Sequence, residues 1–280
     1  MLTQARTCQE REGRRAAIDV GLVVSPAERD ACFRLVHAQY VERGYTERDP
    51  SGRRLLLHQA LPATRMFRAT SAARVVATVS LVPDSVLGLP MDDLYAAELR
   101  PLRTAGRRLA EVSALAAAPG AGSATVAGLL SRLVLYAERL GRVDDLCVTV
   151  HPRHARFYER LGFSPLGPVR QYEAVNGAPA VALRLDLRLA LATAGERRAA
   201  ARRFLAGEDG DRALARLREE QPRSGLTARE FLRFFAGQPV LERAAAARRA
   251  VVQTFYSDVR PGAFPGSAAP NAETTVLVSA

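Results

Sequence analysis

The feature that most constrains the fold is an amphipathic helix pattern between two strand-like runs. The runs at 107–117 and 145–150 are short and apolar, as is typical of buried strands, and Pro119 to Gly122 separates the first run from the helix. The order strand, turn, helix, strand predicts a sheet with helices packed on it. Between the runs, apolar residues recur at intervals of three and four on one helix face: Val126, Leu129, Leu130, Leu133, Val134, Ala137 and Leu140.

Residues 19–190 extend this unit into the order β-α-β-β-β-α-β-α-β-β, which predicts a mixed α/β (α+β) fold. The first helix begins with a capping box at Ser25 and Glu28, has Pro26 at its first position and ends at Gly44. Asn176-Gly177 predicts a type I′ hairpin turn. The other predicted elements are strands at 17–24, 64–70, 74–82 and 180–187, and short helices at 92–99 and 152–161.

The segments outside 19–190 differ in composition. Residues 1–18 lack apolar periodicity and predict a disordered arm, and the Pro/Gly/Ala/Ser-rich residues 257–280 predict a disordered tail. Residues 191–256 are rich in Ala, Arg and Glu and predict a helical extension. Within it, Thr227 and Glu230 form a capping box, and Leu226 and Phe231 are placed as a hydrophobic staple. The apolar face of that helix must be buried against something: Phe231, Phe234 and Phe235.

Composition narrows the class of function. The net charge is +11 and every basic residue is arginine, which favours an acidic partner and is typical of a GC-rich, bacterial genome. The positive charge is spread along the chain, so nucleic acid is not expected as a partner. Without an apolar run of about 18 residues or a signal peptide, we expect a cytoplasmic protein with no transmembrane segment. Three cysteines without metal-ligand spacing predict neither a disulfide nor a metal site: Cys8, Cys32 and Cys147.

Two stretches resemble the core of the GNAT acyltransferase superfamily. The first is the strand Ala110–Ala116, which leads into a Gly-containing turn and the amphipathic helix. The second is Ala155–Phe163, in which an aromatic-Tyr pair precedes Gly-Phe by four residues. The resemblance implies a mostly antiparallel, twisted sheet flanked by helices. It also implies that the strands near residues 111 and 148 splay apart to hold a pantetheine arm.

Within that superfamily the chain is similar to the N-acyl amino acid synthases (FeeM-like), relatives of the acyl-homoserine lactone autoinducer synthases. The similarity covers about 19–190 and depends on residues 81–92, 107–113, 147–155 and 34–45. It implies transfer of a long-chain acyl group from acyl carrier protein to the amine of an amino acid. Acyl-phosphopantetheine or acyl-CoA is then a co-substrate, and no tightly bound cofactor is expected. A lipid product also suggests contact with a membrane surface.

Two departures from the family patterns refine this expectation. The turn Gly120–Thr125 lacks the Arg or Gln of the usual pyrophosphate loop, although a helix N-terminus still offers N–H groups to one phosphate. Carrier-bound phosphopantetheine has one phosphate to bind, so this favours a carrier protein over coenzyme A. Ala114 stands where autoinducer synthases have arginine, which favours plain N-acylation. The residues expected to bind phosphopantetheine are Gly122, Ser123, Ala124 and Thr125.

Glu111 is the candidate base, or the group that orients the amine. A lone carboxylate in an apolar strand is costly unless it has a polar purpose; the alternative is a structural pair with one of the many arginines. Period-two alternation places Glu111, Ser113 and Leu115 on one face. By resemblance, the thioester lies along Ser113, Ala114, Leu115 and Ala116, and backbone N–H groups of 114–116 hold the oxyanion.

The remaining candidates have competing structural explanations. Tyr158 is either the acid that protonates the leaving thiolate or a core aromatic beside Phe157. Asp84 and Ser85 follow a strand end and, with Arg34, are expected to bind substrate; turn chemistry explains Asp-Ser equally well. A second function is acetyl-CoA-dependent acetylation of a small amine. A third is a catalytically inactive GNAT-like binding module. Three residues are assigned structural roles, two as helix caps and one in the core: His151, His154 and Cys147.

Overall fold

Eight strands form the sheet of the computed structural model, which describes residues 17–192 and 210–256. The strand order is β1-β2-β3-β4-β5-β8-β6, with β7 paired to β8. Only β4 and β5 run parallel among the strand pairs of these residues, so the expected mostly antiparallel sheet is confirmed. The strands are β1 (Asp19–Leu22), β2 (Arg65–Ser71), β3 (Arg74–Pro83), β4 (Leu109–Ala117), β5 (Asp145–Val150), β6 (Ser164–Pro165), β7 (Arg170–Tyr172) and β8 (Ala178–Asp186).

Nine helices are described around this sheet. The Ser25 hydroxyl accepts a hydrogen bond from Glu28 N at 3.2 Å, as the capping box predicts. The Glu28 carboxylate returns to Val24 N at 3.0 Å. The helices are α1 (Pro26–Glu42), α2 (Asp92–Thr104), α3 (Gly122–Arg139), α4 (Pro152–Arg160), α5 (Leu187–Ala192), α6 (Gly210–Ser224), α7 (Ala228–Phe234), α8 (Pro239–Glu242) and α9 (Ala246–Thr254).

The main core lies between one face of the sheet and helix α3. Leu129, Leu133 and Ala137 of α3 are fully buried against Val79 and Leu146 of the sheet. Leu217 of α6 joins the same core. Helix α1 covers the opposite face, where it packs on β3 and β4. The last turn of α1 and the first turn of α3 both lie near Ala117, where β4 ends.

The C-terminal helices form a second core with α1, as their apolar face predicts. Phe231, Phe234 and Phe235 are buried, and the rings of Phe234 and Phe235 pack edge-on against Phe33 of α1. A buried ion pair between Arg29 and Glu230, 3.1 Å long, joins α1 to α7. Because α1 also forms one wall of the site described below, the extension supports that wall from outside.

Helix α6 closes the free edge of β1. Its Glu220 carboxylate accepts a hydrogen bond from Leu22 N at 2.8 Å. A Cβ at Gly21 would lie 2.7 Å from both oxygens of this carboxylate, so a larger residue there would displace the Glu220 side chain. The edge strand therefore uses a side chain where a further strand would otherwise pair.

The structure corrects one local prediction and leaves two untested. The last hairpin does not turn on two residues, because Glu173–Val175 forms a 3-10 turn before Asn176 and Gly177, which both have positive φ. The loop between Tyr172 and Ala178 thus has five residues. The predictions of a disordered arm and tail concern 1–18 and 257–280, of which all but residues 17 and 18 lie outside the described part of the chain.

Candidate active site

The strands β4 and β5 separate halfway along their length. Their parallel pairing runs from Leu109 opposite Asp145 to Val112 opposite Val148 and ends there. Strand β5 continues to pair with β8 on its other side as far as Val150. The strands therefore part just beyond Val112 and Val148, whereas Glu111 itself still pairs with Cys147, so the splay begins slightly later than expected. The slot opens into an inner cavity of about 430 Å³ lined by the ends of both strands.

A β-bulge lies in β4 where the strands part. Ser113 pairs with Ser80 and Ala116 with Thr78, so Ala114 and Leu115 together face a single residue of β3. Ala114 has a φ of +52°, a left-handed conformation that a non-glycine residue adopts rarely. A bulge leaves one residue outside the regular ladder of backbone hydrogen bonds. The backbone of residues 114 and 115 is thus irregular beside the open slot.

The bulge also changes the face of the sheet on which the following side chains pack, although Ser113, Ala114, Leu115 and Ala116 all line the inner cavity. Ala114 and Ala116 pack with Val36 of α1, on the side of the sheet that Glu111 occupies. Leu115 packs instead against the core beneath α3. The expectation that Glu111, Ser113 and Leu115 share one face is therefore wrong at Leu115, because strict alternation does not survive an inserted residue.

The Glu111 carboxyl is buried at the inner end of the slot. It is 3% exposed and lines the inner cavity, and its Oε2 accepts a hydrogen bond from Met91 N at 2.7 Å. Burial raises the pKa of this carboxyl to about 8; the Met91 hydrogen bond opposes the rise, and the charges of Asp92 and Asp93 add to it. Within the described residues no arginine forms an ion pair with it, so the structural alternative of an Arg-paired glutamate finds no support.

Tyr158 of α4 belongs both to the cavity wall and to the core. Its ring packs edge-on against Phe157 and Phe163, with centroids 5.3 and 5.4 Å apart. The same residue lines the inner cavity. Burial raises the pKa of the Tyr158 hydroxyl, so this group keeps its proton at neutral pH. Packing and a proton-donor role are therefore compatible in one residue.

An outer cavity of about 530 Å³ lies at the mouth of the slot. The turn Ala117–Ser123 lines it on one side and Gln39, Glu42 and Arg43 of α1 on the other. Arg43 and Ser123 also line the inner cavity, so the two spaces adjoin. Helix α3 begins here without a side-chain cap. Its first N–H groups have no partner within the helix and are available to an anion.

The four predicted phosphopantetheine-binding residues fall into two groups. Gly122 and Ser123 line the mouth. Ala124 and Thr125 do not, and the Thr125 hydroxyl donates instead to Ala121 O at 2.5 Å within the helix. Two of the four side chains thus lie at the expected place, and the other two contribute at most their backbone.

Three predicted substrate-binding residues do not line either cavity. Asp84 forms a two-point ion pair with Arg103, with distances of 2.6 and 2.9 Å. The Ser85 hydroxyl accepts from Leu87 N at 3.2 Å. Arg34 pairs with Asp30 at 2.9 Å on the surface of α1. These side chains are used by turn and helix chemistry, so a substrate contact for them is not supported.

Several cavity residues were missed by the sequence analysis. Tyr40 and Arg43 lie one turn apart at the end of α1, and that helical spacing is the signal that could have found them. Arg54 comes from the loop after α1, and Tyr172 comes from β7. The Arg54 guanidinium lies 4.8 Å from the centre of the Tyr40 ring. No sequence motif predicts that Arg54 and Tyr172 line one cavity, because only the fold brings the loop and the strand that carry them together.

The structure supports the expected roles of His151 and Cys147, whereas His154 lies inside α4 and caps nothing; both histidines also line the inner cavity. His151 caps α4, and its Nδ1 accepts from Arg153 N at 3.2 Å. Cys147 is fully buried, and burial raises its pKa. Across 17–192 and 210–256, no cluster of three or more His, Cys, Asp or Glu could hold a metal ion. In the same segments no helix is long and apolar enough to cross a bilayer.

Comparison with known proteins agrees with this architecture. The family model described as N-acyl amino acid synthase FeeM matches residues 31–186. The solved structure of FeeM, an N-acyl amino acid synthase from uncultured soil microbes, matches with a TM-score of 0.56 and 31% identity, covering 62% of this chain and 92% of that one. The structure of BjaI, a CoA-dependent acyl-homoserine lactone synthase with MTA, matches with a TM-score of 0.53 and 17% identity, covering 71% of this chain and 100% of that one.

At 17% identity the likeness to BjaI concerns the fold. A search of curated proteins found no match. The predicted GNAT-like sheet with flanking helices and a helical C-terminal extension is confirmed.

Proposed function

Because the chain belongs to the FeeM family of N-acyl amino acid synthases and is an N-acyltransferase, we propose that it acylates the amine of an amino acid with a long-chain acyl group from acyl carrier protein. One observation carries this proposal. The slot between β4 and β5 leads from an uncapped helix N-terminus to a buried, ionisable Glu111. A thioester arm laid in that slot has its phosphate end at the helix and its reactive end beside the carboxyl.

The mouth of the slot fits a phosphopantetheine group. The first N–H groups of α3 and the partial positive charge of the helix end favour an anion there. Arg43 lines the same cavity and supplies a full positive charge, with its Nη1 donating to Gln39 O and Gln39 Oε1. The Gly120–Thr125 turn contains no arginine, so Arg43 at the end of α1 supplies the positive charge instead. The chain's net charge of +11 complements an acidic carrier protein and speeds their encounter.

The inner residues can perform thioester aminolysis. Glu111, when ionised, accepts a proton from the amine as its nitrogen attacks the thioester carbonyl carbon. Backbone N–H groups of the bulge at residues 114–116 stabilise the oxyanion of the tetrahedral intermediate. As the C–S bond breaks, Tyr158 donates its proton to the leaving thiolate. The products are an amide and a free thiol, and the proton that Glu111 took returns through solvent to Tyr158.

A coenzyme A thioester is the second candidate donor, and the size of the outer cavity favours it. About 530 Å³ beside the helix end leaves room for more than one phosphate. BjaI, which shares the fold, is a CoA-dependent enzyme by its description. Arg43 would serve either donor, since both place a phosphate at the start of α3.

The direct test uses the purified full-length chain. It is incubated with a long-chain acyl carrier protein thioester or with the matching acyl-CoA, together with a mixture of the twenty amino acids. Mass spectrometry should show an N-acyl amino acid, formed faster from the carrier protein. Glu111→Gln should lose the product, and Glu219→Gln, an exposed glutamate on α6, should keep it. No N-acyl product from either donor, or full activity of Glu111→Gln, rejects the proposal.

A further inference from the structure

Arg54 is a charged residue of the inner cavity that has no acidic partner. Its Nη2 donates to Ala174 O at 2.7 Å, and its guanidinium lies over the Tyr40 ring. Burial lowers the pKa of this guanidinium, and the groups that oppose the shift are the Tyr40 and Tyr172 hydroxyls. Among the ion pairs of the described residues, none involves Arg54. A partly desolvated cation without a counter-charge favours an anionic ligand.

The position of Arg54 relates it to Glu111. Arg54, Tyr172 and Glu111 line the same inner cavity, and the charges of Arg54 and Glu111 both affect the pKa of the Tyr172 hydroxyl. The Tyr172 hydroxyl donates to Pro90 O at 3.2 Å, and the next residue, Met91, donates to Glu111 Oε2. Tyr172 and Glu111 are thus linked through neighbouring backbone groups in the wall of the cavity that Arg54 also lines.

This wall is distinct from the phosphate end of the slot. The phosphate end is lined by Arg43 and the start of α3, and Arg54 and Tyr172 line only the inner cavity. A guanidinium has five N–H donors, of which one is used by Ala174 O. The unused donors match the two oxygens of a carboxylate.

We propose that Arg54 binds the carboxylate of the acceptor, so that the acceptor is an amino acid with a free carboxylate and not a simple amine. This inference rests on the proposed function. With its carboxylate held by Arg54, the acceptor presents its amine toward Glu111 in the same cavity. Arg54 is then the residue that selects amino acids from other amines.

A competing role for Arg54 is to fasten the loop after α1 to the loop between β7 and β8 through Ala174 O. That role would affect every acceptor equally. Carboxylate binding would affect only acceptors that carry the carboxylate. The ratio of activities on a free amino acid and on its amide, which has nearly the same size and no charge, separates the two roles.

The experiment uses the full-length enzyme and the amino acid that the mixture identifies as acceptor. The wild type should have a kcat/KM for the free acid about 30-fold or more above that for the amide, since a charge-assisted two-point contact is lost with the amide. Arg54→Gln should bring this ratio to within about threefold, through a higher KM for the acid. Arg48→Gln, an exposed arginine of the same loop, should keep the wild-type ratio.

Other results overturn the inference. One is equal use of the acid and the amide by the wild type. The others are an acid-to-amide ratio that is unchanged in Arg54→Gln, or a variant in which only the KM for the acyl donor rises. If Arg54→Gln does not fold, Arg54→Lys keeps the cation and its bond to Ala174 O. The ratio should then fall partially, because lysine lacks the two-point geometry. Acylation of amines but not of amino acids refutes this inference and leaves acyl transfer standing. No product from any acceptor refutes the proposed function as well.

Discussion

Replacing Glu111 by glutamine should stabilise the protein while it removes activity. Glutamine keeps the shape of the side chain, and its Oε1 can still accept the hydrogen bond from Met91 N. It carries no charge, so it reproduces the protonated acid and not the carboxylate. Its effect on the free energy of unfolding should therefore depend on pH in a way that follows from the pKa of Glu111.

The magnitude comes from the difference between the folded and unfolded pKa values. The pKa rises from an ordinary 4.5 to about 8 in the folded protein. Between these values the folded protein keeps a proton that the unfolded chain has lost, so wild-type stability falls as pH rises. Below pH 4.5 both states are protonated and wild type and variant should be equal. At pH 8 and above the variant should gain up to roughly 5 kcal/mol, at about 1.4 kcal/mol for each tenfold change in proton affinity.

Urea unfolding of both proteins at pH 5, 6.5 and 8 measures this difference, and other titrating groups cancel in the comparison. Turnover of the wild type should rise with pH until about 8, because the base must be ionised, and the variant should lose about 100-fold or more. Glu219→Gln serves as the control for both assays. A stability difference that stays constant or shrinks from pH 5 to 8 refutes a pKa raised by burial. A drop in stability at every pH would show that the carboxylate is structurally required.

Three further substitutions test other parts of the site. Tyr158→Phe should keep the fold and lower kcat about 100-fold by removing the proton donor; normal kinetics would leave only the packing role. Arg43→Gln should raise the KM for the acyl donor about tenfold through loss of a phosphate contact. Arg139→Gln, at the far end of α3, should leave this KM unchanged. Equal KM values for Arg43→Gln and the wild type would exclude the contact. Phe235→Ala should lower the free energy of unfolding by about 3–5 kcal/mol, measured in urea, and a loss below about 1 kcal/mol would contradict its core position.

Much of the fold could be predicted because its signals are local. The periodicity of 126–140 located α3, which spans Gly122–Arg139. The run at 145–150 gave the bounds of β5. The capping boxes at Ser25 and Thr227 fixed two helix starts. In each case the interactions that form the element are between residues close in sequence, so the sequence alone was sufficient to locate the element.

The bulge in β4 could not be predicted in this way. Ala114 is an ordinary strand residue by composition, and its positive φ arises from the pairing with β3. An uninterrupted period of two was therefore assumed, which placed Leu115 on the wrong face. Glycine at this position would have signalled the irregularity.

The candidate site was predicted in part for a similar reason. Glu111 was found because an acidic residue in an apolar strand is unusual and demands a purpose. Arg54 and Tyr172 carry no such signal, since arginine is common in this chain and loops after helices are polar. Their significance arises because the β7–β8 loop contacts the segment after α1, where Arg54 donates to Ala174 O and Asn176 donates to Gly44 O. Asp84 and Ser85 illustrate the opposite difficulty, because polar residues at a strand end can be used by local structure: Asp84 pairs with Arg103, and the Ser85 hydroxyl accepts from Leu87 N.

The carboxylate of Glu220 has a consequence for how this protein is handled. By accepting the hydrogen bond from Leu22 N, this carboxylate occupies the outer edge of the sheet at β1. Both Glu220 and β1 lie outside residues 31–186, the part of the chain that matches the family model. A recombinant fragment trimmed to that part would expose the flank of β2 as an unprotected template for strands of other molecules. Such a fragment should self-associate, and keeping β1 and α6 in the fragment should prevent this, because together they cover that edge of the sheet.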